Sequence, residues 1–77
     1  MSREFQDDNF VLWEAFASTG KFGFPDGPLV VFNCLTDRTV RPRYVRLAGD
    51  EADAQRKLER ASDTDLAELL ARAEALR

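Results

Sequence analysis

The chain has 77 residues, with 11 basic against 14 acidic side chains for a net charge of −3, no histidine and one cysteine. Those counts exclude an imidazole acid–base pair, a Cys/His zinc site and a disulfide framework within one copy. At 44% apolar and 32% charged residues the composition is that of a single globular domain, not a disordered tail or a membrane segment.

Residues 1–8 are acidic and lack an apolar stretch, so no signal peptide is expected, and no run is long enough to span a bilayer. A helix is predicted over 8–19. Asp7 or Asp8 would cap it, Phe10, Val11, Leu12, Trp13 and Phe16 give it apolar mass, and Gly20 would stop it. Residues 20–28 hold three of the four glycines and two of the three prolines and read as a loop, with a type I turn at Phe24-Pro25-Asp26-Gly27. Leu29 to Leu35 is the best strand, apolar at both parities and therefore expected to be covered on both faces. After a turn at 36–39 the chain returns through Tyr44, Val45 and Leu47. Hairpin 29–47 is expected to be antiparallel because the link is too short for a crossover, and Pro42 marks the second strand as an edge or splits it.

Two helices are predicted next, over 50–61 and 63–76. Each begins with acids and ends with bases, as the helix dipole favours, with Asp53–Lys57 and Glu68–Arg72 spaced four apart. Ser62-Asp63-Thr64-Asp65 has the form of a capping box with Asp in place of Glu. The expected fold is therefore α+β, one small domain over 1–77 in the order α-β-β-α-α, with an antiparallel hairpin packed on helices.

The glycine loop offers fragments of three phosphate- or RNA-binding motifs, and each fails on context. Gly20-Lys21 has neither the first glycine nor the hydroxyl of a P-loop, since Ala15 and Phe22 stand there. Gly20-Lys21-Phe22-Gly23 leads toward a strand, where a KH domain needs a helix, and Lys21-Phe22-Gly23-Phe24 lacks the continuation of an RNA-recognition strand. The paired acids Asp7/Asp8 and Asp63/Asp65 lie at helix starts, where capping accounts for them without acid–base chemistry or a metal. Cys34 sits in an apolar run with no neighbouring cation, which suits a buried structural thiol and a reducing cytoplasm.

Two surfaces remain as candidates. Trp13, Phe16, Phe22 and Phe24 could form an apolar patch for a protein partner or for a second copy, giving a homodimer. Arg38, Arg41, Arg43 and Arg46 give residues 36–46 a net charge of +3 against −6 elsewhere, an anion- or single-stranded nucleic-acid-binding alternative. Strand parity opposes the second: Arg41 and Arg43 point with Val45, and Arg46 points with Tyr44, while the acids of 50–77 offer the arginines pairing partners. The sequence thus reads as a small non-enzymatic interaction or regulatory module of bacterial type, cytoplasmic, with no cofactor, metal or membrane expected. The nine arginines, two lysines, ten alanines and absent isoleucine suggest a GC-rich source.

Overall fold

The structure is a computed structural model, and it describes residues 2–18, 28–37 and 39–75. Among these residues five strands form one antiparallel sheet in sequential order: β1 (Ser2–Gln6), β2 (Leu12–Ser18), β3 (Leu29–Cys34), β4 (Arg43–Arg46) and β5 (Glu74–Ala75). Helices α1 (Glu51–Arg60) and α2 (Asp63–Arg72) lie between β4 and β5 in the chain. The order is β-β-β-β-α-α-β, not α-β-β-α-α. The mixed α+β class holds.

The predicted helix over 8–19 is the main correction. Residues 12–18 form β2, hydrogen-bonded to β1 on one side and to β3 on the other. Trp13, Ala15 and Ala17 face the helices, while Leu12, Glu14, Phe16 and Ser18 face away. An interior strand carries apolar residues at both parities, so its period-2 signal is weak and its apolar mass reads as a helix. Asp7 and Asp8 do not cap a helix. They lie at a three-residue hairpin loop, 8–10, in which the Asp7 carboxylate accepts the backbone N–H groups of Asn9 at 2.8 Å and Val11 at 3.0 Å. The chemistry is that of a cap, applied to a turn.

Residues 29–32 of β3 are buried on both faces: Val30 and Phe32 toward the helices, Leu29 and Val31 on the opposite side. β4 pairs antiparallel with β3, and Pro42 stands just before it. With β5 beside it at Arg43 and Tyr44, β4 lies inside the sheet order and is not its edge.

Both helices begin with reciprocal capping boxes, Asp50 with Asp53 and Ser62 with Asp65. Asp53 forms its ion pair with Arg56, three residues on, and not with Lys57. The second helix ends at Arg72, short of the expected Leu76, and residues 74–75 turn into β5. α1 packs on β2 and β3, α2 on β1 and β4. Their buried residues Leu58, Ala61, Leu66, Leu69 and Leu70 close the core over Phe5, Trp13, Ala15, Val30, Phe32 and Cys34. Phe5 meets Phe32 edge-to-face at 5.9 Å.

Arg3 ties this layer to the sheet. Its guanidinium donates to the Leu58 and Ala61 carbonyls at 3.0 and 2.9 Å, at the C-terminus of α1, and reaches the Asp63 carboxylate at 3.5 Å. One cation therefore satisfies orphan carbonyls at the negative end of a helix and marks the corner between two helices.

Candidate functional site

The antiparallel register places the 8–10 loop and the 35–42 loop at the same end of the sheet. The large exposed apolar residues among those described all belong to this end: Phe10 at 78% exposure, Leu12 at 46% and Val40 at 38%. Phe10 holds φ = +62°, at the third loop position, where glycine or asparagine is the usual occupant. A bulky residue in that conformation is strained by about 1–2 kcal/mol. The loop is nevertheless firmly bonded, with Phe10 N–H to the Asp7 carbonyl at 3.1 Å and Asp7 N–H to the Val11 carbonyl at 3.0 Å.

Leu12 is joined to the second loop by two bonds. Its N–H donates to Thr36 Oγ1 at 2.9 Å and its carbonyl accepts from Leu35 N–H at 2.8 Å. Asp37 organises that loop by accepting from the Thr39 hydroxyl and amide, and these bonds hold its carboxyl below the ordinary aspartate range. Where the second loop meets β2 and β3 lies a hollow of about 280 Å³, lined by Glu14, Asn33, Cys34, Leu35, Val40 and Pro42. Glu14 stands directly across from Asn33 on β3 and from Glu4 on β1.

The predicted apolar patch is not what forms this end. Trp13 is buried in the core, on the helix side. Its indole N–H donates to Asp7 Oδ2 at 2.9 Å and the Arg43 guanidinium lies 6.0 Å from its ring centroid. The slight burial of Asp7 works against its charge, but the bonds from Trp13, Val11 and Asn9 outweigh this and lower its carboxyl pKa. Phe16 is half-buried on the opposite face, and Phe22 and Phe24 lie outside the described residues. Exposure at Phe10 and Val40 was missed because a helical reading counted Phe10 only among the apolar mass of residues 8–19, and loop valines carry no sequence signal of exposure.

The arginine group is dispersed. Arg43 covers Trp13 on the helix side, Arg46 is exposed on the other, Arg41 is exposed in the loop, and Arg38 lies outside the described residues. None of Arg41, Arg43 and Arg46 joins the acids of α1 and α2 in an ion pair among the described residues, where the pairs are Arg3–Asp63 and Arg56–Asp53. Arg46 instead shares a hollow of about 370 Å³ with Tyr44, Val45, Arg72 and Glu74. Asp63 is an ion-pair partner for Arg3, and Asp65 accepts the Ser62 N–H as the third helical residue of the α2 capping box. Cys34 is buried and unpaired, and its Sγ accepts the Asp37 N–H at 3.4 Å.

Among the described residues no helix is long and apolar enough to cross a membrane. Comparison with protein-family models, with curated proteins and with solved structures finds no match to this chain.

Proposed function

We propose that the chain is a non-enzymatic cytoplasmic interaction module that engages a protein partner through the loop end of its sheet. The observation that carries this reading is Phe10. Its conformation is one that glycine holds at no steric cost, and its side chain is 78% exposed, so the residue strains the backbone and contributes little to the core in return. Such a residue is explained by a contact made outside the chain. Leu12 and Val40 extend the apolar surface at the same end.

The test is to compare the wild-type chain with a Phe10→Gly/Val40→Ser double variant, by sedimentation and by capture from lysate of the source cells. An oligomer or captured protein present with the wild type and lost with the variant, at unchanged thermal stability or higher, is the expected result. Identical sedimentation and identical captured proteins overturn the reading.

A second reading, anion or single-stranded nucleic-acid binding, is supported by the hollow that carries Arg46 and Arg72 beside Tyr44. Retardation of a single-stranded oligonucleotide at low salt, abolished in Arg46→Ala/Arg72→Ala, is its expected signature. No retardation at low salt removes it.

A further inference from the structure

The sheet ends at β1, and the bonding of the neighbouring strand shows which backbone groups that edge leaves open. Leu12 directs both of its groups away from β1, its N–H to Thr36 Oγ1 and its carbonyl to Leu35 N–H. Bonding alternates along an antiparallel ladder, so Leu12, Glu14 and Phe16 bond toward β3, and Trp13 and Ala15 toward β1. Their partners on β1 are Phe5 and Arg3, and the Asp7 N–H continues the series on the Val11 carbonyl at 3.0 Å. Ser2, Glu4 and Gln6 therefore turn their N–H and C=O groups out of the sheet, and all three residues are exposed. Neither a proline nor a bulge blunts the strand, whose five pairs with β2 are unbroken. Arg3 does not shield the edge, because its guanidinium is held at the corner of α1 and α2.

We propose that β1 takes an extended, basic segment of a protein partner as a sixth strand. The edge does not require the apolar surface of Phe10, Leu12 and Val40. Main-chain bonds to Ser2, Glu4 and Gln6 would hold the segment, and a second feature selects its side chains. A hollow of about 350 Å³ adjoins the end of β1, with Gln6 and Asp8 on one side and Asp63, Ala67, Glu68 and Ala71 of α2 on the other. In an added strand the residue opposite Phe5 turns to the helix side, beside α2, while its two neighbours turn away with Glu4 and Gln6. That helix-side residue meets Asp8 and Glu68, and among the described residues neither carboxylate has a hydrogen bond or an ion pair. The third acid, Asp63, is already shared with Arg3 at 3.5 Å. A lysine or arginine fits: its stem lies along Ala67 and Ala71 and its head reaches the free carboxylates. An apolar side chain would desolvate those carboxylates without compensation, and an acidic one would add a like charge. A second copy of this chain is disfavoured as occupant. The one cation on its β1 is Arg3, which its own Leu58 and Ala61 carbonyls hold.

The test uses three peptides, acetyl-Thr-Val-Lys-Val-Thr-amide, its norleucine analogue with a similar stem and no charge, and its glutamate analogue. Amide shifts and hydrogen exchange of the isotopically labelled chain are followed at low salt. In the free chain the Arg3, Phe5 and Asp7 amides are expected to exchange slowly and those of Glu4 and Gln6 fast. The lysine peptide should slow exchange at Glu4 and Gln6 and shift the amides of Ala67 and Glu68. It should bind about fivefold tighter than the norleucine peptide, as one exposed ion pair allows, and the glutamate peptide should bind most weakly. The preference for lysine should disappear in Asp8→Asn/Glu68→Gln and at high salt. Glu4 and Gln6 amides already protected in the free chain, or unaffected by the lysine peptide, overturn the proposal. Equal binding of the lysine and norleucine peptides overturns it too, as does a lysine preference that survives Asp8→Asn/Glu68→Gln. None of these outcomes bears on the loop end, which the Phe10→Gly/Val40→Ser comparison decides separately.

Discussion

Among the described residues two hold positive φ, for opposite reasons. At Gly49, φ = +93° is the left-handed conformation that only glycine adopts freely, and a Cβ there would run into the carboxylate of Asp53. That carboxylate accepts the Asp50 N–H, the bond that chiefly lowers its pKa, and also meets Arg56. Gly49→Ala therefore strains the backbone and disturbs the α1 capping box together, and is expected to cost about 2 kcal/mol, read as a lower urea midpoint. At Phe10 the preference is reversed. Phe10→Gly alone is expected to raise stability by about 0.5–1 kcal/mol in the same assay, and any loss of stability would show that Phe10 has a packing role inside the chain. The sequence shows Gly49 as a terminator plainly enough. It does not show Phe10 as strained, because nothing in Asp8-Asn9-Phe10 says which residue takes the left-handed position until the hairpin register is known.

At the level of elements, the corner between α1 and α2 depends on β1. Arg3 binds the last carbonyls of α1 and the first acid of α2 from the edge strand, across more than fifty residues of sequence. Arg3→Met keeps the stem against the core and removes the bonds. With the Arg3 side chain 28% exposed, the loss is expected to be about 1 kcal/mol, and hydrogen exchange should quicken first at the end of α1. Protection unchanged at Leu58–Ala61 would show the corner to be held by packing alone. The helices themselves were legible in the sequence. Their caps, acidic starts and basic ends are signals contained within four residues. The strands β1 and β5 were not, since Ser2–Gln6 has one buried apolar residue, Phe5, and Glu74–Ala75 has no strand signal at all.

On the scale of the whole molecule, acid should unfold the chain through its turns and caps. Asp7, Asp37 and Asp53 all have carboxyl pKa values lowered by bonds made in the folded state: in Asp7 those from Trp13, Val11 and Asn9 outweigh slight burial, in Asp37 those from Thr39, in Asp53 those from the Asp50 N–H and Arg56. A group whose folded pKa lies below its unfolded value stabilises fully above the unfolded value, 3.8 here, and the contribution is lost as pH falls through the folded pKa. Melting temperature should therefore be flat near neutrality and fall below about pH 4, with Trp13 fluorescence reporting the loss of its bond to Asp7. A melting temperature independent of pH between 7 and 2 would refute the assignment of these three carboxylates.

What the amino-acid sequence determined by itself was the local part of this protein: two capped helices, a strand at 29–34 apolar on both faces, its antiparallel return, and a chemistry without imidazole. Tertiary structure alone decided that residues 12–18 are a strand, that Trp13 belongs to the core, and that Arg43 and Arg46 point to opposite sides. The reason is the range of the forces involved. A helix closes its hydrogen bonds within four residues, so its evidence lies in one short window. A strand closes its bonds with another segment, and the same apolar run becomes helix or strand according to whether partners such as β1 and β3 are there to receive it.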